Sequence, residues 1–150
     1  MTPFVTAGAG FLLAVLWFDL MFDVQVLGDR GGELPDDVLV SIAAYYRRVT
    51  TAARPMNRLI AAVMLGTIAA IIVQLGQGDA PRWAAVLSLV LAASAIVTAA
   101  VHTVPSAMRL GTRSDTDKGQ TRLARSIFRD HLLCITAVAV VLFLQLAFAR

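Results

Sequence analysis

Long apolar stretches alternate with short polar ones along this chain. Four stretches, at residues 3–27, 57–75, 82–104 and 127–149, contain few charged residues. Each is close to the ~20 residues that an α-helix needs to cross the ~30 Å hydrocarbon core of a bilayer. Because lipid cannot satisfy backbone N–H and C=O groups, each stretch must close its own hydrogen bonds as a helix. The pattern predicts an all-α membrane protein, a single domain over residues 1–150 with four transmembrane helices in an antiparallel bundle.

A further helix is predicted between the first two crossings, over about residues 35–54. Pro35 and the acidic pair Asp36 and Asp37 are residues favoured at a helix start. The apolar positions that follow recur at helical spacing: Val38, Ile42, Tyr45, Tyr46 and Val49. We therefore expect an amphipathic helix that either lies in the membrane interface or continues into the second crossing through a bend at Pro55.

The segment at residues 106–126 is the longest polar stretch of the chain. It holds Gly111, Gly119 and several arginines, and few apolar residues. This composition predicts a mobile loop that leads into a helix beginning before the fourth crossing.

Basic residues are distributed unevenly beside the crossings. Eleven flank the first and third connections, against two for the second connection and both termini: Arg30, Arg47, Arg48, Arg54, Arg58, Arg109, Arg113, Lys118, Arg122, Arg125 and Arg129, against Arg82 and Arg150. The positive-inside rule then predicts both termini outside, with loops 28–57 and 105–126 cytoplasmic. Alanine-rich and arginine-rich usage is typical of bacterial chains, so the expected location is the inner membrane. The basic connections also favour contact with anionic lipid head groups.

Polar residues within or beside the apolar stretches are the candidates for chemistry. Antiparallel threading brings them to one depth, in the predicted cytoplasmic half of the bundle. The candidate polar cluster comprises Asp19, Asp23, Asn57, Arg58, His102, Arg129, Asp130 and His131.

Two interpretations of this cluster remain open. In the structural one, Asp19 and Asp23, which share a helix face, pair with Arg58 and Arg129 and fix helix packing. Asp23, nearer the interface, is then expected to reach Arg58 or water, and the deeper Asp19 to need a specific partner such as Arg129 or His131.

In the functional interpretation, His102 and His131 ligate a haem or a metal, with the aspartates orienting them. His131 and Cys134, three residues apart, are a weaker metal pair.

The C-terminal third resembles a group of known proteins. Val104-Pro105 follows the third apolar stretch, a basic segment comes next, and Arg125-Ser126-Ile127-Phe128-Arg129-Asp130-His131 opens the fourth. This arrangement is similar to the anthrone-oxygenase-like group of small bacterial four-helix membrane proteins. The resemblance implies an oxidative role within the membrane, with His131 and Arg129 near the site.

Three classes of function follow from these observations. The first is a membrane protein with a cofactor-binding or redox site in the polar cluster. The second is a non-catalytic accessory subunit that packs against other membrane-protein subunits or against copies of itself. The third is a small proton-coupled transporter, suggested by Asp19 in the first crossing. Apart from the lipid bilayer no partner is specified, and no nucleic-acid-binding motif is present.

Overall fold

The computed structural model describes residues 1–28 and 32–148; Arg30, Ala149 and Arg150, used in the predictions above, lie outside this part of the chain. Over these residues the chain forms helices and no β-strand. The α-helices are α1 (Thr2–Asp23), α2 (Asp36–Arg47), α3 (Arg54–Gln77), α4 (Arg82–Thr98), α5 (Val104–Thr112) and α6 (Asp117–Phe148). The predicted all-α fold is confirmed.

Four helical segments are long and apolar enough to cross a membrane: Thr2–Leu27, Arg54–Gln77, Arg82–Thr112 and Asp117–Phe148. They coincide with the four predicted crossings, with ends that differ by a few residues or extend further into polar sequence. α3 begins at Arg54 because Pro55 fits the first helical turn, where a backbone N–H has no partner within the helix. The fold is therefore an all-α membrane bundle.

The four membrane-length segments pack as a square. α1 and α4 each pack directly against both α3 and α6, whereas the backbones of the diagonal pairs, α1 with α4 and α3 with α6, do not approach each other closely over the described residues. Small and branched side chains fill the centre at one level of this square, among them Val5, Ala9, Ile71, Ala92 and Val141. Because the diagonal helices lie far apart, space remains along the bundle axis wherever the side chains between them are short.

The predicted amphipathic helix is present as α2, and its apolar face is buried against protein. Leu39, Ile42 and Tyr46 pack with Leu110 of α5 and Ile127 of α6. At its far end, the backbone of α2 passes so close to α5 that a methyl group on Gly111 would lie 2.9 Å from the backbone nitrogen of Arg47. The end of the bundle covered in this way is called the α2 end below.

The prediction of a mobile polar loop over residues 106–126 is wrong, whereas the predicted helix that begins before the fourth crossing is confirmed. Most of this segment is helical, with α5 extending the third crossing and α6 beginning at Asp117 after a short turn. Three of its apolar side chains, Ala107, Leu110 and Ala124, are buried in one cluster with side chains of α2, whereas Met108 is exposed. Sparse apolar residues suffice here because the partner surface comes from a distant part of the chain.

Two helices contain a π-helical turn, and a proline follows each turn closely. The turns are Arg48–Ala52 and Ala99–Thr103, and the prolines are Pro55 and Pro105. Pro55 follows a break of the helix at Ala53 and lies in the first turn of α3, where no such hydrogen bond is lost. Pro105 lies within a continuous helical run; it removes the hydrogen bond to the carbonyl of Val101, inside the second π turn, and its ring would collide with that carbonyl. Widening of the helix relieves this conflict, and π turns often occur at functional sites.

Candidate functional site

Asp23 occupies the centre of a buried hydrogen-bonded group at the α2 end. Its side chain is 0% exposed. Oδ1 accepts a hydrogen bond from the Tyr46 hydroxyl at 2.5 Å, and Oδ2 lies 2.6 Å from Nδ1 of His131. Three elements, the end of α1, α2 and α6, are thus joined through one carboxylate. Charged hydrogen bonds of this kind are among the stronger ones in proteins.

Asp19, one turn earlier on α1, faces the same group but is less enclosed. Its side chain is 19% exposed, and Oδ1 accepts a hydrogen bond from the Tyr45 hydroxyl at 2.6 Å. Tyr45 also stacks on Phe22, with ring centroids 4.0 Å apart. Adjacent tyrosines of α2 therefore each serve one aspartate of α1.

The two tyrosines remain hydroxyl donors over a wide pH range. Burial raises the pKa of Tyr46, and the charge of Asp23 raises it further. The pKa of Tyr45 is raised for the same reasons, burial first and Asp19 second. Each phenol therefore keeps its proton under ordinary conditions and donates a hydrogen bond to a carboxylate.

The second ring nitrogen of His131 points toward Asp19. Nε2 lies 3.9 Å from Oδ2 of Asp19, which is too long for a hydrogen bond. Because a carboxylate accepts only, the close contact with Asp23 favours a proton on Nδ1 and leaves Nε2 as an acceptor when the imidazole is neutral. Oδ2 of Asp19 and Nε2 of His131 are thus two neighbouring acceptors. The gap between them could be bridged by one hydrogen-bond donor.

This gap lies at the polar end of a large apolar cavity. The cavity has a volume of about 560 Å³ and runs along the bundle axis between the four membrane-length segments. Its walls are mostly aliphatic, and the polar lining groups include Asp19, Tyr45, Tyr46, Thr103 and His131. Among the described residues that line it, none is a lysine or an arginine. Both π turns contribute to the wall, through Val49 and Thr50 and through Ala99 and Ala100.

A second, smaller polar group joins α6 to the π turn of the third crossing. Oδ2 of Asp130 lies 2.6 Å from Nδ1 of His102 and accepts a hydrogen bond from Thr103 at 2.8 Å. The His102 side chain is 51% exposed, and it is not part of the cavity wall. This group fixes the π turn beside the cavity.

The predicted arginine partners of the two aspartates are not found. Arg58 and Arg129 are exposed, and the ion pairs among the described residues include none between either of them and Asp19 or Asp23. The expectation that Asp23 would reach Arg58 or water is wrong, because Asp23 is completely buried between Tyr46 and His131. For Asp19, the alternative partner His131 is the one observed.

Asn57 has a structural place at the edge of the cavity. Its side-chain nitrogen donates to the carbonyl of Val49 at 2.6 Å, across the break between α2 and α3. It therefore satisfies a backbone acceptor that the π turn leaves open.

The residues present do not fit a haem or a metal held between the two histidines. His131 is buried in the cavity wall, whereas His102 is half exposed and lies outside that wall. Each has its Nδ1 beside a different aspartate. Within residues 1–28 and 32–148 no group of three or more His, Cys, Asp or Glu side chains is placed to hold a metal ion. The thiol of Cys134 instead donates to the carbonyl of Ala95 at 3.7 Å.

The sequence prediction missed a second polar network at the opposite end of the bundle. Gln74 donates to Thr2 at 3.0 Å and to Oε1 of Gln145 at 2.9 Å, and Gln145 donates to Ser88 at 3.3 Å. All four residues are buried, and they come from α1, α3, α4 and α6. Two glutamines inside apolar stretches were the available signal, since polar side chains in hydrocarbon generally seek partners on other helices.

The fold and site define a class: a four-crossing α-helical membrane protein with an apolar axial cavity that ends in an acidic, histidine-containing group. Comparisons with protein-family models, with curated proteins and with solved structures give no match. The resemblance of the C-terminal third to the anthrone-oxygenase-like group therefore stays a prediction. Of the two residues it implies at a site, His131 lines the cavity and Arg129 lies on the outer face of α6.

Proposed function

We propose that this protein binds, within the bilayer, an apolar small molecule whose head group donates hydrogen bonds to Asp19 and His131. One observation carries the proposal: Oδ2 of Asp19 and Nε2 of His131 face each other 3.9 Å apart at the end of the apolar cavity. A single nitrogen or oxygen atom fits within ordinary hydrogen-bonding distance, about 2.8 Å, of both. Largely apolar cavities with a few convergent polar groups are the usual form of small-molecule sites.

The chemistry of the two facing atoms selects the head group. Both are acceptors when His131 is neutral, so the ligand must donate. Two carboxylates, Asp19 and Asp23, belong to the group, and no lysine or arginine is among the described cavity-lining residues. Uncompensated negative charge at membrane depth is costly. A protonated amine is therefore favoured over a hydroxyl, because it supplies both the donor and the missing positive charge.

His131 adds a capacity for proton exchange. Asp23 holds Nδ1 at 2.6 Å and thereby orients the ring with Nε2 toward the cavity. A carboxylate plays the same orienting role for the histidine in many acid–base sites. His131 can accordingly take a proton from a bound amine or hydroxyl and return it. The bound molecule is then either a substrate or a lipid-soluble cofactor that exchanges a proton with His131.

A matched set of probes tests the head-group assignment. Naphthalene bodies carrying methylamine, methanol or carboxylic acid are smaller than the cavity and differ from one another only in the head group. We expect detergent-purified protein to bind the amine best and the acid worst, measured by fluorescence titration against empty micelles. A hydrogen bond to a charged group is worth about 1.5–3 kcal/mol, so Asp19→Asn should weaken amine binding by roughly tenfold or more.

The control for this experiment is Asp37→Asn. Asp37 is exposed in the first turn of α2 and lies outside the cavity wall. The Asp37→Asn substitution removes the same charge from the protein without changing the site, so amine binding should be unchanged. Equal binding of all three probes, or equal loss in both variants, contradicts the proposal.

Proton-coupled transport of such an amine is the second candidate function. The absence of a lysine or arginine among the described lining residues favours it, because Asp19 can then hold either a proton or a cationic amine. Competition of this kind couples proton movement to export. Amine-dependent proton flux in proteoliposomes, lost in Asp19→Asn and kept in Asp37→Asn, distinguishes transport from binding alone.

We further propose the bacterial inner membrane as the location, with both termini outside the cytoplasm. The excess of basic residues beside the first and third connections supports this orientation. The α2 end, with Asp23 and His131, would then lie on the cytoplasmic side.

A further inference from the structure

A stripe of basic side chains runs along the first part of α6. Lys118, Arg122, Arg125 and Arg129 follow one another at intervals of four, three and four residues, which places them on one face of the helix. They line a surface groove of about 450 Å³, which Glu33 also borders. Among the described residues that line the groove, Lys118, Arg122 and Arg129 are exposed or half-exposed cations and Glu33 is an anion, so this part of the surface is positively charged. Arg125 also donates a hydrogen bond to the carbonyl of Gly32 at 2.9 Å.

This groove is independent of the axial cavity. His131, Cys134 and Val138 of α6 face the bundle axis. At 3.6 residues per turn the basic stripe lies on nearly the opposite side of the same helix. A ligand in the groove therefore touches none of the groups that line the cavity.

The same face of α6 turns apolar where the bundle core begins. Leu133 lies one turn beyond Arg129 and is 68% exposed, and Val140 and Phe143 continue the exposed apolar face. Residues 132–148 carry no charge and span roughly 26 Å, close to the thickness of the hydrocarbon core. Arg129 and Arg125 then lie at the level of the lipid phosphates, which occupy the first several ångströms outside that core.

We propose that this groove binds the phosphate of an anionic phospholipid, whose acyl chain lies along Leu133, Val140 and Phe143. A head group followed by a chain matches a face that is basic for three turns and apolar afterwards. Arginine suits phosphate because its planar group donates two parallel hydrogen bonds. A free phosphate ion would use the basic part of this face and leave the apolar part without a role.

Native mass spectrometry of the full chain in detergent tests the assignment with two lipids of equal chain length. We expect bound phosphatidylglycerol to exceed bound phosphatidylcholine about tenfold or more when both are supplied equally. Arg122→Gln with Arg129→Gln should remove most of this preference. The matched control, Arg54→Gln with Arg58→Gln, removes the same charge from exposed positions on α3 and should keep it.

A second variant is expected to increase the lipid preference, so its result cannot be explained by a damaged fold. Glu33→Gln removes the acidic side chain that borders the groove among the described residues, and it should increase the preference for phosphatidylglycerol. Inorganic phosphate provides the third arm, since it should not displace the bound lipid at equal concentration. Displacement by inorganic phosphate, no preference in the unmodified chain, or equal loss in the two arginine pairs overturns the proposal.

Discussion

Asp19 and His131 lie 3.9 Å apart at the polar end of the axial cavity, while Asp23 holds the other nitrogen of the same imidazole at 2.6 Å. The two aspartates of α1 are thus unequal. Asp23 is enclosed and bonded on both oxygens, whereas Asp19 keeps one oxygen directed at the cavity. Under the proposed function, this difference gives Asp23 the role of supporting His131 and Asp19 the role of contacting the ligand.

Neutral replacements should separate the two roles. Asp23→Asn weakens the charged contact with His131 and should lower the free energy of unfolding by about 1.5–3 kcal/mol. Asp19→Asn still accepts a hydrogen bond from Tyr45 and should leave stability nearly unchanged or raise it, as often occurs at functional sites. Denaturation in mixed micelles followed by circular dichroism measures both. A larger loss for Asp19→Asn than for Asp23→Asn would reverse the assignment.

The tyrosines should resist ionisation at alkaline pH. The chain has two, Tyr45 and Tyr46, and burial beside the aspartates raises the pKa of each above the ordinary value of about 10. A pKa raised in the folded state contributes stability that is complete below pH ~10 and is lost as the pH rises toward the folded-state value. Phenolate absorbance should therefore appear only well above pH ~10, together with unfolding. The Tyr45→Phe variant shows which absorbance change belongs to Tyr45 and which to Tyr46. Ionisation of either tyrosine near pH ~10 in the folded protein would exclude these hydrogen bonds.

The docking of α2 on α5 can be tested with two glycines. Gly111→Ala brings a methyl group to 2.9 Å from the backbone nitrogen of Arg47, so α2 must shift and stability should fall by about 1–3 kcal/mol. Gly66→Ala in α3 meets nothing within 4 Å and should stabilise the helix by about 0.5–1 kcal/mol. Thermal unfolding in detergent compares the two. Similar shifts in both variants would show that α2 is not packed in this way.

The glutamine network at the opposite end should show coupling. Gln74→Leu and Gln145→Leu each remove a partner from the 2.9 Å hydrogen bond, so the double variant should lose less stability than the two single losses added. Interhelical hydrogen bonds in membranes contribute about 0.6 kcal/mol on average and up to about 1.7. Gln77→Leu, at the exposed end of α3, is the control and should couple with neither. Strict additivity of the first pair would contradict the network.

The orientation is tested with reporters that are active only outside the cytoplasm. One fused after Arg150 should be active, and one inserted after Ser114, in the turn between α5 and α6, should be silent. The reverse pattern would move the acidic site to the outer face of the membrane.

The sequence alone determined the features of this protein that follow from its lipid surroundings. Four apolar stretches of membrane length specify four helices, because lipid leaves the backbone no other arrangement. The acidic start and helical spacing after Pro35 specify α2 in the same local way. The polar residues of the site were also recognisable, since Asp19, Asp23 and His131 are costly in hydrocarbon without a role or a partner.

Only the tertiary structure decided which groups those residues meet. Arg58 and Arg129 were plausible partners by charge and depth, yet the docking of α2 brings Tyr45 and Tyr46 to the aspartates and leaves both arginines exposed. The buried side chains of α5 and of the start of α6 likewise pack against α2, a contact between distant parts of the chain. Which side chains pair depends on how the separate helices are rotated and packed against one another. The periodicity within one helical segment does not contain this information.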